Sequence, residues 1–337
     1  MINKLIYSKF LFWVLILFVQ NGHAQTGLNF LNIPQNATQN ALGGTNISFQ
    51  ENANSFTQNP SLLDSTQINN LGISYSPYFV QSNYYSINYV YQSQKKRIFG
   101  FNIQHLNSGK FEGTDDLGNY TSTFGAGDVS VAMTTSQKIN NITFGITVKG
   151  MTSVLESTYL MALLTDWGGI FKHPKKDLTI GIVAKNMGFI YTKNAYDKPK
   201  TPFDLQLGVT FKPQFMPVRF SLTSKQLYKF DLLSDLFTTY KYDSNGNKVK
   251  ETPSFTNNLF SHCIFGAEFL FHKNIHALVG FDYFQMKTMK VAQISSFSGL
   301  SYGVRASFKK FGFALSQKSI FTGKKQTMFT LDWRIKS

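Results

Sequence analysis

From about Asn69 to the C-terminus, apolar and polar residues alternate in segments of about ten, separated by gaps that are short and long in turn. Ile142, Phe144, Ile146 and Val148 illustrate the pattern, with Thr143, Gly145, Thr147 and Lys149 between them. Successive side chains on a strand point to opposite faces, so each segment makes a ribbon with one apolar and one polar face. The spacing predicts fourteen strands: 69–77, 84–93, 97–107, 126–138, 142–152, 159–172, 177–188, 202–212, 217–224, 260–271, 275–286, 298–308, 311–318 and 326–335. Most have the roughly nine to eleven residues that a tilted strand needs to cross a bilayer.

The connections support that count. Gaps after even-numbered strands are tight, as at Gln94-Lys95-Lys96, Ile139-Asn140-Asn141 and His272-Lys273-Asn274. Those after odd-numbered strands are mostly longer, and the longest covers 225–259. Short periplasmic turns, long outer loops and an even strand number belong to outer-membrane barrels. The expected fold is therefore all-β: a 14-stranded antiparallel transmembrane β-barrel, its apolar face in lipid. A secreted β-sandwich is the alternative.

Alternation then assigns charges to the lumen. Asp128, Asp166, Asp204, Glu268, Asp282 and Asp332 point inward with Lys149, Lys185, Arg219, Arg305 and Arg334. So near a balance of sign implies ion pairs that fill and stiffen the barrel rather than a pore selective for one charge.

Two segments precede the strands. Lys4 and Lys9 lead into an apolar run from Phe10 to Val19, followed by Gly22-His23-Ala24. This has the order of a signal peptide over 1–24, and its apolar run is too short for a spanning helix. Residues 25–68 alternate poorly but carry Leu28, Phe30, Leu31, Ile33, Leu42, Leu62 and Leu63. So apolar a segment is expected to plug the lumen over 25–68 rather than trail as a periplasmic tail. The barrel then occupies 69–337.

Composition adds little chemistry. The formal net charge of +15 invites nucleic acid, but no basic run or nucleic-acid motif accompanies it, so no nucleic-acid partner is expected. Lysines on the outer loops are placed to meet lipopolysaccharide, yet the opposite rim carries lysines as well. One cysteine, Cys263, excludes an internal disulfide framework. No enzyme motif, metal spacing or phosphate loop is found, so neither catalysis nor a cofactor is expected. His272 and His276, and the turns Asp115-Asp116-Leu117-Gly118-Asn119 and Asp243-Ser-Asn-Gly-Asn247, are read as surface features. In the long loop Leu232, Leu233, Leu236, Phe237 and Tyr240 recur at helical spacing. That stripe predicts a short helix that covers the barrel mouth, docks another protein, or does both.

Ordered motifs run the length of the mature chain: Ala41-Leu-Gly-Gly44, Gln58-Asn-Pro-Ser-Leu-Leu63, Ser76-Pro77-Tyr78, Gly125-Ala-Gly-Asp128, Ala184-Lys-Asn-Met-Gly188, Pro202-Phe-Asp-Leu-Gln-Leu-Gly208 and Arg219-Phe-Ser-Leu-Thr223. In these the chain resembles the PorQ family of outer-membrane barrels in the type IX secretion system of Bacteroidota. The first two motifs are shared with the related PorV barrels and, more distantly, with FadL-like transporters of hydrophobic compounds. The resemblance implies a plugged fourteen-stranded barrel within a cell-surface attachment complex. It implies PorZ, PorU and PorV-like partners, with PorU the sortase and this subunit a non-enzymatic anchor for PorZ. A FadL-like transporter is the alternative.

Overall fold

The computed structural model describes residues 27–49, 54–78, 81–115, 117–156, 158–193, 200–233, 240–242, 248–250, 253–289, 297–321 and 324–335. The expected signal peptide lies outside them. Fourteen antiparallel strands close into a single barrel. In chain order these are β1 (Asn70–Pro77), β2 (Asn83–Gln92), β3 (Ile98–Thr114), β4 (Tyr120–Ile139), β5 (Ile142–Leu155), β6 (Thr158–Lys172) and β7 (Leu178–Lys193), then β8 (Asp204–Phe211) and β9 (Val218–Ser224). After a small hairpin, β10 (Tyr240–Tyr242) and β11 (Lys248–Lys250), the barrel resumes with β12 (Cys263–His272), β13 (Ile275–Asp282), β14 (Leu300–Ser307), β15 (Phe311–Phe321) and β16 (Lys324–Arg334). Strand β1 pairs with β16 from Asn70↔Arg334 to Tyr75↔Phe329, which leaves the barrel no open edge.

Each strand alternates inward and outward in burial, as on β2, where Tyr84, Ser86 and Asn88 are buried while Tyr85 and Ile87 are exposed. The outward band is apolar on every side, with Ile73, Phe101, Val131, Phe144, Leu163, Ile182, Phe220, Val304 and Phe329 exposed. That surface cannot face water over so large an area, and it defines the lipid contact of an outer-membrane barrel. No described helix is long and apolar enough to cross a membrane.

The strands differ in length around the barrel. Strands β3 to β7 run for 17, 20, 14, 15 and 16 residues. By contrast β8, β13 and β14 have 8 residues each and β9 has 7. Strand β13 ends earlier than its apolar pattern suggests. Asp282 accepts a hydrogen bond from the Gln285 amide and caps a short helix, Tyr283–Thr288. A second unforeseen helix, Phe255–Ser261, is capped by Ser254 through the Asn257 amide.

Candidate functional site: a filled lumen and its outer rim

The segment before β1 lies inside the barrel and is anchored there by its own local chemistry. Asn36, Asn59 and Asp64 each accept a backbone hydrogen bond that caps a short helical turn. Gly43 and Gly44 take φ of +93° and +104°, a left-handed backbone that glycine alone adopts freely. They turn the chain after the helix Ala37–Ala41 and press it against β13 and β14. There the Ser301 hydroxyl donates to the Ala41 carbonyl and accepts from the Gly43 amide. Lys318 Nζ donates to the Gly43 carbonyl at 2.8 Å.

The wall is shaped to receive this segment. At inward positions where a side chain would occupy the lumen, the strands carry glycine. A Cβ on Gly145 would run into the Pro60–Ser61 backbone, one on Gly168 into Asn59, and one on Gly280 into Leu42–Gly43. Gly100 and Gly208 similarly give way to Phe56 and Ile47. On the plug side, Leu28, Phe30, Leu31, Ile33, Leu42, Leu62 and Leu63 are all buried. Their burial supplies the apolar driving force, and the glycine seats permit backbone to meet backbone.

The lumenal charges assemble into discrete clusters. Glu268 on β12 receives Arg219 from β9 at 2.7 Å and lies 2.8 Å from His276 on β13. Arg305 on β14 approaches the same carboxylate at 3.6 Å, so one acid joins four neighbouring strands. Across the barrel Asp166 pairs with Lys149 at 2.8 Å and accepts from the Asn186 amide. Lys149 also donates to Asn186 Oδ1, and Asn186 Nδ2 donates to the Pro202 carbonyl. Asn186 holds φ +59° at a bulge where β7 slips against β6, which accounts for the Ala-Lys-Asn-Met-Gly motif.

The remaining sequence-predicted charges are distributed as follows. Lys185 pairs in register with Asp204 and lines a small cavity with Lys149 and Asp166. Asp204 itself accepts from Gln206 and from the Gln226 amide. Asp282 pairs with Lys225 at 2.7 Å, Asp332 accepts from Asn54 of the plug, and Asp128 stands opposite Ser153 on β5. Arg334 departs from expectation. It sits exposed at the rim and donates to Asn70 and the Thr66 carbonyl, because β16 is leaving the barrel there.

Three lumenal members escaped the sequence reading. Lys318 and His276 follow the inward alternation of their strands, whereas Lys225 follows the last residue of β9. His276, taken with His272 as a surface residue, is buried against Glu268, while His272 accepts from the Asn274 amide in a turn. Among the described residues no cluster of His, Cys, Asp or Glu has a metal-binding arrangement.

The predicted docking stripe is also revised. Leu232 and Leu233 are buried, so they present no surface to a partner. Leu236 and Phe237 lie outside the described residues. Tyr240 opens the hairpin strand β10 instead of continuing a helix. What the outer rim does expose is a different structure. Residues Lys110–Thr114 of β3 and Tyr120–Gly125 of β4 pair with one another, beyond the last register partners of β2 (Asn83↔Asn107) and β5 (Ala126↔Leu155). They form a free-standing ribbon with a Phe111–Phe124 ring stack, 5.7 Å between centroids.

No family model matches the chain, and no curated protein matches it. Among solved structures it is similar to the CymD monoaromatic hydrocarbon channel (13% identity, 92% of this chain and 98% of that one, TM-score 0.49). It is similar also to the P. putida toluene transporter TodX (11%, 90% and 97%, 0.46) and to a Pseudomonas aeruginosa FadL homologue (9%, 88% and 97%, 0.45). Likeness at this level is one of overall shape. The fourteen-stranded closed barrel follows from the strand pairing itself.

Proposed function

We propose that this protein is a non-enzymatic, plugged outer-membrane barrel that anchors a surface partner in a type IX secretion attachment complex. The observation that carries this reading is the filled lumen. The plug is seated on wall glycines, and a cavity beside it is only about 20 Å³, lined mainly by polar groups. That volume holds roughly one water. A lumen occupied by the plug turns attention to the outer rim as the working surface, which agrees with the PorQ-like motifs. Partners of PorZ, PorU and PorV type are inferred from those motifs. The test is affinity purification from the native outer membrane in mild detergent, paired with planar-bilayer recording. Recovery of a PorZ-like protein with no conductance is expected; clean recovery of this chain alone would overturn the anchor.

A specific observation favours a second reading, a carrier of hydrophobic small molecules like those named for the similar structures. Leu28, Phe30, Leu31 and Ile33 fill an apolar compartment walled by Tyr84, Leu106, Met151, Leu164 and Met328. Withdrawal of that segment would open an apolar cleft. Deleting 27–33 and titrating toluene calorimetrically tests it: saturable binding that the full chain also shows would favour the carrier.

A further inference from the structure

We infer that the short side of the barrel completes its lipid contact with loop residues, so that the helix Phe255–Ser261 and the aromatic residues around it lie in the outer leaflet, at the boundary between acyl chains and headgroups. The first observation is a deficit of strand. An eight-residue strand such as β13 rises about 27 Å along its axis and, tilted by about 40°, only about 20 Å across the membrane. The apolar band of an outer-membrane barrel is roughly 25 Å tall. Strands β8, β9, β13 and β14 therefore stop short of covering it.

The second observation is continuity. Phe281 faces lipid on β13, in register with Phe265 of β12. Its ring meets Tyr283 at 6.5 Å, and Tyr283 meets Phe260 of the loop helix at 5.7 Å. On the neighbouring side Phe203, just before β8, meets Tyr228 at 5.2 Å, and Phe230 meets Phe255 at 5.4 Å. One run of rings climbs from Phe281 on the strand face through Tyr283 to Phe260 on the loop helix, and two further ring pairs stand among the loops beside it. Its upper members stay uncovered, with Phe255 67% and Phe260 44% exposed. Tyr283 and Lys287 add the signature of an interface. The Tyr283 hydroxyl is hydrogen-bonded to Asn257, and the Lys287 ammonium lies 5.4 Å from its ring, an apolar body with a polar tip.

The tall side needs no such extension. There β4 carries outward Val129, Val131, Met133 and Ile139, and above Val129 its outward positions turn to the half-buried Gly127 and the exposed Gly125 and Thr123. Lipid, rather than a protein, is the occupant that extends an existing lipid face by the missing height.

The test places a bimane label on single cysteines at 255, 260, 220 and 117, in a Cys263→Ser background, with the chain reconstituted in phosphatidylcholine vesicles containing 5-doxyl lipid. Quenching at 255 and 260 is expected within about twofold of that at the strand position 220, and quenching at the ribbon-tip position 117 should be negligible. Quenching at 255 and 260 as weak as at 117 overturns the inference, including the case where a partner protein covers the patch in the native membrane. As a check independent of variants, a lipid-borne diazirine should label the wild-type peptide over 253–262 and spare 115–119. The reverse labelling would also overturn it.

Discussion

The two sides of this barrel solve the same problem differently. From β3 to β7 the strands outrun the membrane, and the excess of β3 and β4 stands up as a ribbon with two unpaired edges. At β8, β9, β13 and β14 the strands end early, and capped helices and loop aromatics take over. A strand can leave the membrane as a strand only if its backbone groups remain paired or meet water. The β3–β4 ribbon does both. On the short side the chain instead satisfies those groups within helices, where Asp282 and Ser254 supply the caps. At β13 a local capping residue, Asp282, thus sets where the strand ends.

The two walls also differ in how charge ties them together, and this gives the largest expected effect. Glu268 serves Arg219, His276 and Arg305 on the short side, where strand ladders are brief. Glu268→Ala should destabilise the barrel by about 3–5 kcal/mol, because removing one member of a buried cluster strands the others. Asp166→Ala on the tall side should cost less, since Lys149 keeps its bond to Asn186 Oδ1 and the ladders around it are long. Urea midpoints read from the gel shift between folded and unfolded barrel would decide. Equal losses would mean that wall height has no bearing on the cluster's weight.

Next comes the fit of the plug. Gly145 and Gly150 lie on the same strand of the tall wall, but a Cβ at 145 meets the plug backbone while one at 150 meets nothing within 4 Å. Gly145→Leu should cost about 1–3 kcal/mol by overpacking and should induce conductance in a planar bilayer. Gly150→Leu should do neither. A matching Gly280→Leu on the short wall, against Leu42–Gly43, asks whether the plug is held equally from both sides. If Gly145→Leu unfolds no more easily than Gly150→Leu, the plug is a loose insert.

The barrel was legible because alternation acts over every strand at once. Side chains such as Phe144 and Val148 have no alternative to facing lipid when Thr147 and Lys149 face the lumen. The ends of strands were harder to read. Residues 283–286 look like more of β13, and only the contact from Asp282 to the Gln285 amide converts them to a helix. The stripe from Leu232 to Tyr240 misled at its described members: three- and four-residue spacing reports apolar content, which buries Leu232 and Leu233 while Tyr240 belongs to a hairpin strand. Lys225 was missed since alternation says nothing about a residue past a strand end. The ribbon was unreadable too, because its outward residues are polar or glycine and its pairing reaches beyond both neighbours.

Smaller in energy, yet direct on function, is a change to that ribbon. Phe111→Ser with Phe124→Ser removes a ring stack on the part of the ribbon that stands beyond the neighbouring strands. Stability should move by no more than about 1 kcal/mol, while recovery of a surface partner should fall if the free-standing edge is where it docks. Partner recovery unchanged by this pair, but lost on altering Phe255 and Phe260, would transfer docking from the tall wall to the short one and contradict the lipid assignment there.

The smallest effect concerns the ribbon's tip, where the tall wall meets water and titration becomes local. The Asp115 carboxylate accepts from the Asn119 side chain at 3.0 Å, from its backbone amide at 2.8 Å and from the Leu117 amide at 3.0 Å. These donors, Asn119 first, hold its carboxyl below the usual carboxylate range near pH 4. A lowered value means that the turn's order is fully present above that range and fades as pH falls through the depressed value. Asn119→Ala should move the fading upward in pH, with no change in the unfolding midpoint because the group is solvent-exposed. Carbon NMR of the Asp115 carboxyl reads both titrations. Identical curves for the two proteins would mean that the turn is shaped by the paired backbone of the ribbon, and that the tall wall needs no side-chain lock even at its tip.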